Sequence, residues 1–201
     1  MKLLPAGDNA LLVELASLDE VLGFYAALTA DPPAGVVDIV PAARTVLVTT
    51  TGDLDGLARR LGATVPLTGS RSTGDLLEIP VVYDGEDLQD VAELLGCDTA
   101  EVIRRHTDEE WTVAFCGFAP GFGYLTGKGN WDIPRRKSPR TKVPAGAVGL
   151  AGEFSGVYPR ESPGGWQLLG RTEIKIFDQD RDPAALIHPG RRIRFTAAGR
   201  G

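Results

Sequence analysis

Thr68-Gly69-Ser70-Arg71-Ser72-Thr73-Gly74 is small, polar and without apolar period, and the chain on either side of it has a different texture. A stretch with so little apolar surface has nothing to bury and reads as a linker. It divides an α+β chain into a first domain over residues 1–75 and a second over 76–201.

Upstream of the linker, strand and helix patterns alternate. Ala10 to Leu15 is a short apolar strand, and Ser17-Leu18-Asp19-Glu20 has the spacing of a capping box. Leu18, Val21, Leu22, Tyr25 and Leu28 then recur at helical spacing, until Asp31-Pro32-Pro33 stops the helix. Val36 to Val40 and Thr45 to Thr50 read as strands joined by the hairpin-length Pro41-Ala42-Ala43-Arg44. Asp53 caps a second helix carrying Leu54, Leu57, Ala58 and Leu61, and Ala63 to Leu67 is expected as the last strand. The resulting β-α-β-β-α-β order is that of a ferredoxin-like α/β sandwich.

Downstream, Leu76 to Tyr83 reads as a strand followed by two short helices. Leu88, Val91, Ala92 and Leu95 mark the first; Thr99 is expected to cap the second, which carries Val102, Ile103 and His106. From Trp111 onward, β segments at 111–118, 147–151, 154–158, 166–170, 174–177 and 192–196 are broken by Gly and Pro. Many short strands with frequent turn signals predict a closed or nearly closed barrel.

Bulk composition narrows the function classes. With 25 Gly and 14 Pro among 201 residues, the chain is too rich in helix breakers for a bundle. A net charge of −6 disfavours nucleic acid as a partner, because phosphate neutralisation needs a basic surface. No apolar stretch approaches the roughly 20 residues of a membrane span, and Met1-Lys2-Leu3-Leu4-Pro5 meets a proline before any signal core develops. A cytoplasmic protein with no membrane partner is expected. Cys97 and Cys116 form no Cys-x-x-Cys pair and read as small buried hydrophobes, with no metal site implied.

Three segments carry the chemistry. In Phe118-Ala119-Pro120-Gly121-Phe122-Gly123-Tyr124, two glycines and a proline shape a loop able to hold Phe122 and Tyr124 at a barrel mouth; a tight hairpin with both rings in the core fits equally. Gly121-x-Gly123 lacks the third glycine of a dinucleotide fingerprint. Pro134 to Pro144 gathers Arg135, Arg136, Lys137, Arg140 and Lys142 on a segment stiffened by three prolines. Preorganised guanidinium forks suit carboxylate or phosphate, though a charge run is also an ordinary solvated face. In Ser162-Pro163-Gly164-Gly165-Trp166-Gln167, consecutive glycines can form a backbone nest for an anion beside an indole able to cover a flat ring; a glycine turn before a core tryptophan is the plainer alternative. His106 lies near a helix C-terminus, a favoured place for a cation, and is a weak catalytic candidate; His188 precedes Pro189-Gly190 and reads as a turn residue. No nucleophile elbow, zinc helix or phosphate loop occurs, so no self-contained active site is legible.

At these segments the chain resembles the KipI-like family, which includes the B subunits of 5-oxoprolinases, allophanate hydrolase subunit 1-like proteins and carboxyltransferase subdomain C/D. The matching stretches are Gly117 to Leu125, Pro134-Arg135-Arg136, Ser138-Pro139-Arg140, Val143-Pro144-Ala145-Gly146, Gly156-Val157-Tyr158-Pro159, Ser162 to Gln167 and Gly170-Arg171-Thr172. Weaker similarity reaches Gly7 to Glu14 and Gly35 to Pro41, whereas Cys116, Lys128 to Trp131 and Glu153-Phe154 depart from the pattern. The resemblance implies a ferredoxin-like N-terminal domain and a cyclophilin-like C-terminal β-barrel. It further implies one component of a heteromeric enzyme that opens 5-oxo-L-proline to L-glutamate with ATP and Mg²⁺. Such a chain would be inactive alone, with the C and A subunits of 5-oxoprolinase as partners and no biotin of its own. A lactam is a poor electrophile, so the site needs cations for a transferred phosphoryl group and donors for oxyanion charge. Arg135, Arg140, Lys142 and Arg171 are the candidates for the first, and the Ser162–Gly165 turn for the second. Tyr124, Tyr158 and Trp166 would wall the pocket. Inhibition of a sensor histidine kinase and a carboxyltransferase or allophanate hydrolase role in urea metabolism stay open as alternatives.

Overall fold

The structure, a computed structural model, describes residues 1–67 and 75–199; the linker read at 68–74 lies outside the described residues. The chain divides into two compact units, Met1–Arg71 and Ser72–Gly201.

In the first unit a four-stranded antiparallel sheet has the order β1-β2-β4-β3, from β1 (Lys2–Pro5), β2 (Ala10–Glu14), β3 (Val36–Pro41) and β4 (Thr45–Thr50). Helix α1 (Leu18–Ala30) follows β2, and α2 (Leu54–Gly62) follows β4. Both helix starts form as their sequences dictate. Ser17 Oγ accepts from Glu20 N at 3.2 Å while the Glu20 carboxylate accepts from Ala16 N, and the Asp53 carboxylate accepts from Asp55 N and Gly56 N. Val21, Phe24 and Leu28 of α1 and Leu57 and Leu61 of α2 share one core with Leu11, Val13, Val46 and Val48.

The element order is therefore β-β-α-β-β-α, and the strand expected at Ala63 to Leu67 does not form. Pro66 offers no N–H to a ladder, Val65 is 78% exposed, and Leu67 N donates to Gly23 O instead. The edge place beside β2 is taken by β1, whose four residues carry Lys2 and Pro5 and give little periodic signal.

The second unit is built on a seven-stranded sheet of order β12-β9-β10-β7-β6-β13-β5. Its strands are β5 (Leu76–Val81), β6 (Trp111–Cys116), β7 (Gly123–Thr126), β9 (Ala147–Ala151), β10 (Phe154–Val157), β12 (Gln167–Arg171) and β13 (Arg192–Ala197). A two-way bridge between Val82 and Arg171 joins the two outermost strands, so the sheet curls into a nearly closed barrel that fits the cyclophilin-like architecture. Two further strands, β8 (Arg140–Val143) and β11 (Ser162–Gly164), pair with each other. Part of the basic loop and part of the glycine turn are thus a ladder. The expected strand at 174–177 is reduced to a single bridge, Phe177 to Ala185.

Helices α3 (Leu88–Leu95) and α4 (Thr99–Asp108) connect β5 to β6. Asp98, not Thr99, caps α4, its carboxylate accepting from Glu101 N at 2.7 Å. The core runs through Ile79, Val81, Trp111, Leu125, Trp131 and Phe195. Among the described residues no helix is long and apolar enough to cross a membrane.

Candidate functional site

The aromatic cleft is assembled from three segments distant in sequence. The turn after β6 is closed by Gly117 N to Phe122 O and Phe122 N to Ala119 O, with Gly121 at φ +82°, where a side chain would be strained and its Cβ would meet Phe177 at 2.6 Å. This turn puts Phe122 against Tyr158, Trp166 and Tyr124 at ring centroid distances of 5.4, 5.3 and 5.2 Å, all edge-to-face. A small cleft of about 60 Å³ opens among these rings, bounded also by Phe118, Arg135 and the Pro163–Gly165 backbone. Gly164 is required there, since a Cβ would meet Tyr158 Oη at 2.3 Å.

Most of the predicted pocket residues converge. Tyr124, Tyr158, Gly164, Gly165 and Trp166 line the cleft together with Arg135, and among the described residues Arg135 has no carboxylate partner. Burial raises the pKa of Tyr158, against the opposing influence of the Trp166 backbone and of Arg135 and Arg140, so its hydroxyl stays protonated at neutral pH. Ser162 is placed outside the cleft lining, its hydroxyl donating to Arg160 O at 3.2 Å. The nest expected at Gly164–Gly165 does not form. Gly164 is extended in β11, neither glycine has positive φ, and Gly165 O accepts from Arg136 N.

The basic segment has a different use from the one its charge suggests. Asp87, only 2% exposed, accepts from Arg136 Nη1, from Arg140 Nη2 at 2.8 Å and from Leu168 N at 2.7 Å. Burial by itself would raise the Asp87 pKa; the Arg140 hydrogen bond, the Leu168 N–H and the two guanidinium charges outweigh it and hold the carboxyl below the usual range. Arg140 also meets Glu86 at 2.9 Å. Arg171 pairs with Asp84, and Lys142 with Glu161 at 3.3 Å. Of the four cations expected to bind an anion, three are therefore engaged by carboxylates of this chain, leaving Arg135.

His106 is fully enclosed. Its ring lies 4.5 Å from Phe195, with Tyr83 Oη 2.8 Å from Nδ1 and Ser155 Oγ 2.9 Å from Nε2. Burial lowers its pKa to about 3, so the imidazole is neutral. It lines neither the aromatic cleft nor the larger cavity beside Asp87. Cys116 is partly buried and its thiol is pushed up to about 11. Among the described residues no group of three or more His, Cys, Asp or Glu converges to hold a metal.

Sequence reasoning missed two residues. Asp87 sits 49 and 53 positions from its arginine partners, a separation no local pattern carries. Phe118 is 58% exposed at the cleft edge and holds φ +68°, a left-handed conformation uncommon outside glycine. Its aromatic type inside a Gly/Pro turn was the available signal.

An aromatic cleft on a nearly closed barrel, in a chain whose other unit is a small α/β sheet, defines a class of two-unit barrel proteins. The chain belongs to the family described as carboxyltransferase domain, subdomain C and D, which it matches over residues 1–187. More particularly, it is 45% identical over 129 residues to the B subunit of 5-oxoprolinase from Escherichia coli O157:H7, covering 62% of this chain and 59% of that protein. It is 44% identical over 124 residues to the B subunit of 5-oxoprolinase from Bacillus subtilis (strain 168), covering 60% and 52%. The chain thus spans between half and three-fifths of the curated relatives it matches. Among solved structures, TTHA0988 superposes with a TM-score of 0.79 at 33% identity, over 96% of this chain and 40% of that one. PH0987 from Pyrococcus horikoshii gives 0.60 at 33% identity over 98% and 97%. The K. lactis urea amidolyase shares the fold, with a TM-score of 0.75 at 19% identity over 98% of this chain and 15% of that one.

Proposed function

We propose that this chain serves as the B subunit of a heteromeric, ATP-dependent 5-oxoprolinase that opens 5-oxo-L-proline to L-glutamate. The observation that carries the reading is the cleft in which Tyr124, Tyr158 and Trp166 surround a space edged by Arg135, in a chain 43–45% identical to proteins of that name. The substrate is a flat five-membered lactam bearing a carboxylate. Aromatic faces suit the ring, and a guanidinium without an internal partner suits the carboxylate through two parallel hydrogen bonds. Tyr158, held protonated by burial, is placed to donate to an oxygen that gains charge as the lactam carbonyl is attacked.

The cleft has no nucleophile or general base of its own, which supports a divided site completed by the C subunit, with the A subunit as the further partner, in the cytoplasm. ATP and Mg²⁺ belong to the proposed reaction. Arg140, Lys142 and Arg171 do not fit a triphosphate, because each is already paired with a carboxylate. His106 acts as a core residue. The N-terminal unit reads as a ferredoxin-like sandwich whose edge strand comes from the start of the unit. Its sheet order β1-β2-β4-β3 supports this reading.

Binding of 5-oxo-L-proline to the purified full chain, followed by NMR, tests the assignment. Chemical-shift changes should cluster on Tyr124, Tyr158 and Trp166 and weaken about tenfold or more in Arg135→Ala, the scale of a charge-assisted bond. Changes confined to other surfaces would overturn it.

A further inference from the structure

A second cavity of about 310 Å³ lies beside the Asp87 ion cluster and shares no lining residue with the aromatic cleft. Asp90 of α3 lines it, with Arg136, Lys137 and Ser138 of the basic segment and Gln167 of β12. Its size is at the lower end for small-molecule sites.

The wall is polar and incompletely satisfied. Gln167 is 7% exposed; its Nε2 donates to Pro134 O at 3.1 Å, and its Oε1 accepts nothing among the described residues. Turning the amide over would set oxygen against carbonyl oxygen, so the acceptor stays where it is. Arg136 is oriented by Asp87 through Nη1 and by its own N–H to Gly165 O, leaving a buried Nε without an acceptor. A buried donor and a buried acceptor therefore sit unpartnered in one cavity wall.

Charge points the same way. Lys137 and Asp90 border the same cavity, yet neither forms an ion pair among the described residues. The other nearby charges largely cancel, since Asp87 and Glu86 neutralise Arg136 and Arg140. A phosphate or simple carboxylate would satisfy Lys137, Ser138 and Arg136 but leave Asp90 and Gln167 Oε1 facing an anion. A cation alone would reverse the mismatch. A ligand with both charges satisfies both halves.

We propose that this cavity binds a small zwitterion, an α-amino acid with free ammonium and carboxylate. The carboxylate accepts from Lys137, Ser138 and Arg136 Nε, and the ammonium donates to Asp90 and Gln167 Oε1. A lactam such as 5-oxo-L-proline has no ammonium and is rejected. The inference does not rest on the function proposed above, because it concerns other residues and another ligand class.

Titrations of the full chain by NMR, with glycine and L-glutamate as probes and acetate, methylammonium and 5-oxo-L-proline as controls, test it. Glycine or L-glutamate should shift resonances of Asp90, Lys137 and Gln167, and each half-ligand should bind at least about tenfold more weakly. Asp90→Ala and Lys137→Ala, both at exposed positions that leave the fold intact, should each weaken the amino acid about tenfold. Acetate binding as tightly as glycine with Asp90→Ala silent, or no response to either amino acid at millimolar concentration, would overturn the proposal.

Discussion

Replacing Arg140 by alanine removes a guanidinium that is 14% exposed and donates at 2.8 Å to a carboxylate that is 2% exposed. Asp87 keeps Arg136 and the Leu168 N–H, so its charge stays partly compensated. The loss is then one buried charge-assisted hydrogen bond, about 1.5–3 kcal/mol, plus at most about 1 kcal/mol for the exposed Glu86 arm. A total of about 2–4 kcal/mol is a large share of the stability of a domain of this size. Urea unfolding followed by tryptophan fluorescence reads it directly, and a cycle with Asp87→Ala separates the pairwise part from the rest. The Asp87 pKa, held low in the fold, means this stabilisation is present above the free carboxylate value of about 3.9 and is lost as pH falls through the folded value. Arg140→Ala should therefore differ most from wild type at neutral pH, and the two should converge under acid. A change below about 0.5 kcal/mol at pH 7 would show that Arg140 behaves as an ordinary solvated charge, and the bracing role would fall.

The buried His106, with its pKa lowered to about 3 against about 6.5 free, binds its proton first in the unfolded chain. Its stabilising contribution is complete above about pH 6.5 and falls by up to about 1.4 kcal/mol per pH unit on going down towards pH 3; His106→Gln should flatten the urea midpoint over that range. Phe118→Gly should leave stability unchanged or raise it by about 1 kcal/mol, because the φ of +68° suits glycine, while weakening 5-oxo-L-proline binding. Clear destabilisation in thermal melts would mean the ring is core and not mouth. Gly164→Ala should displace the Tyr158 hydroxyl and abolish the same binding, since the new methyl meets Oη at 2.3 Å; a crystal structure with Tyr158 unmoved would refute this.

What the sequence disclosed and what it concealed divide along physical lines. The capping box at Ser17 and the Asp53 cap were legible because capping is local, acting across three residues. The barrel strands from Ala147 and from Arg192 were legible through runs of buried apolar residues. β1, β8 and β11 were not, being four, four and three residues long and held by partners rather than by a pattern of their own. In the cleft, Tyr124, Tyr158 and Trp166 could be picked out as aromatics in glycine-rich turns. The disposition of the cations could not, because Arg136, Arg140 and Arg171 choose partners 49 to 87 positions away. Cations clustered in sequence looked like an anion site; in space most of them brace the barrel's own acidic residues.

The most direct test of the central claim is reconstitution of this chain with its proposed partners, the C and A subunits of 5-oxoprolinase, measuring glutamate release from 5-oxo-L-proline with and without ATP. The account predicts no turnover by the chain alone, ATP-dependent turnover by the mixture, and loss of at least about tenfold in turnover when Arg135→Ala or Trp166→Ala replaces wild type in a folded complex. Full activity of the isolated chain, or a complex indifferent to both substitutions, would contradict it.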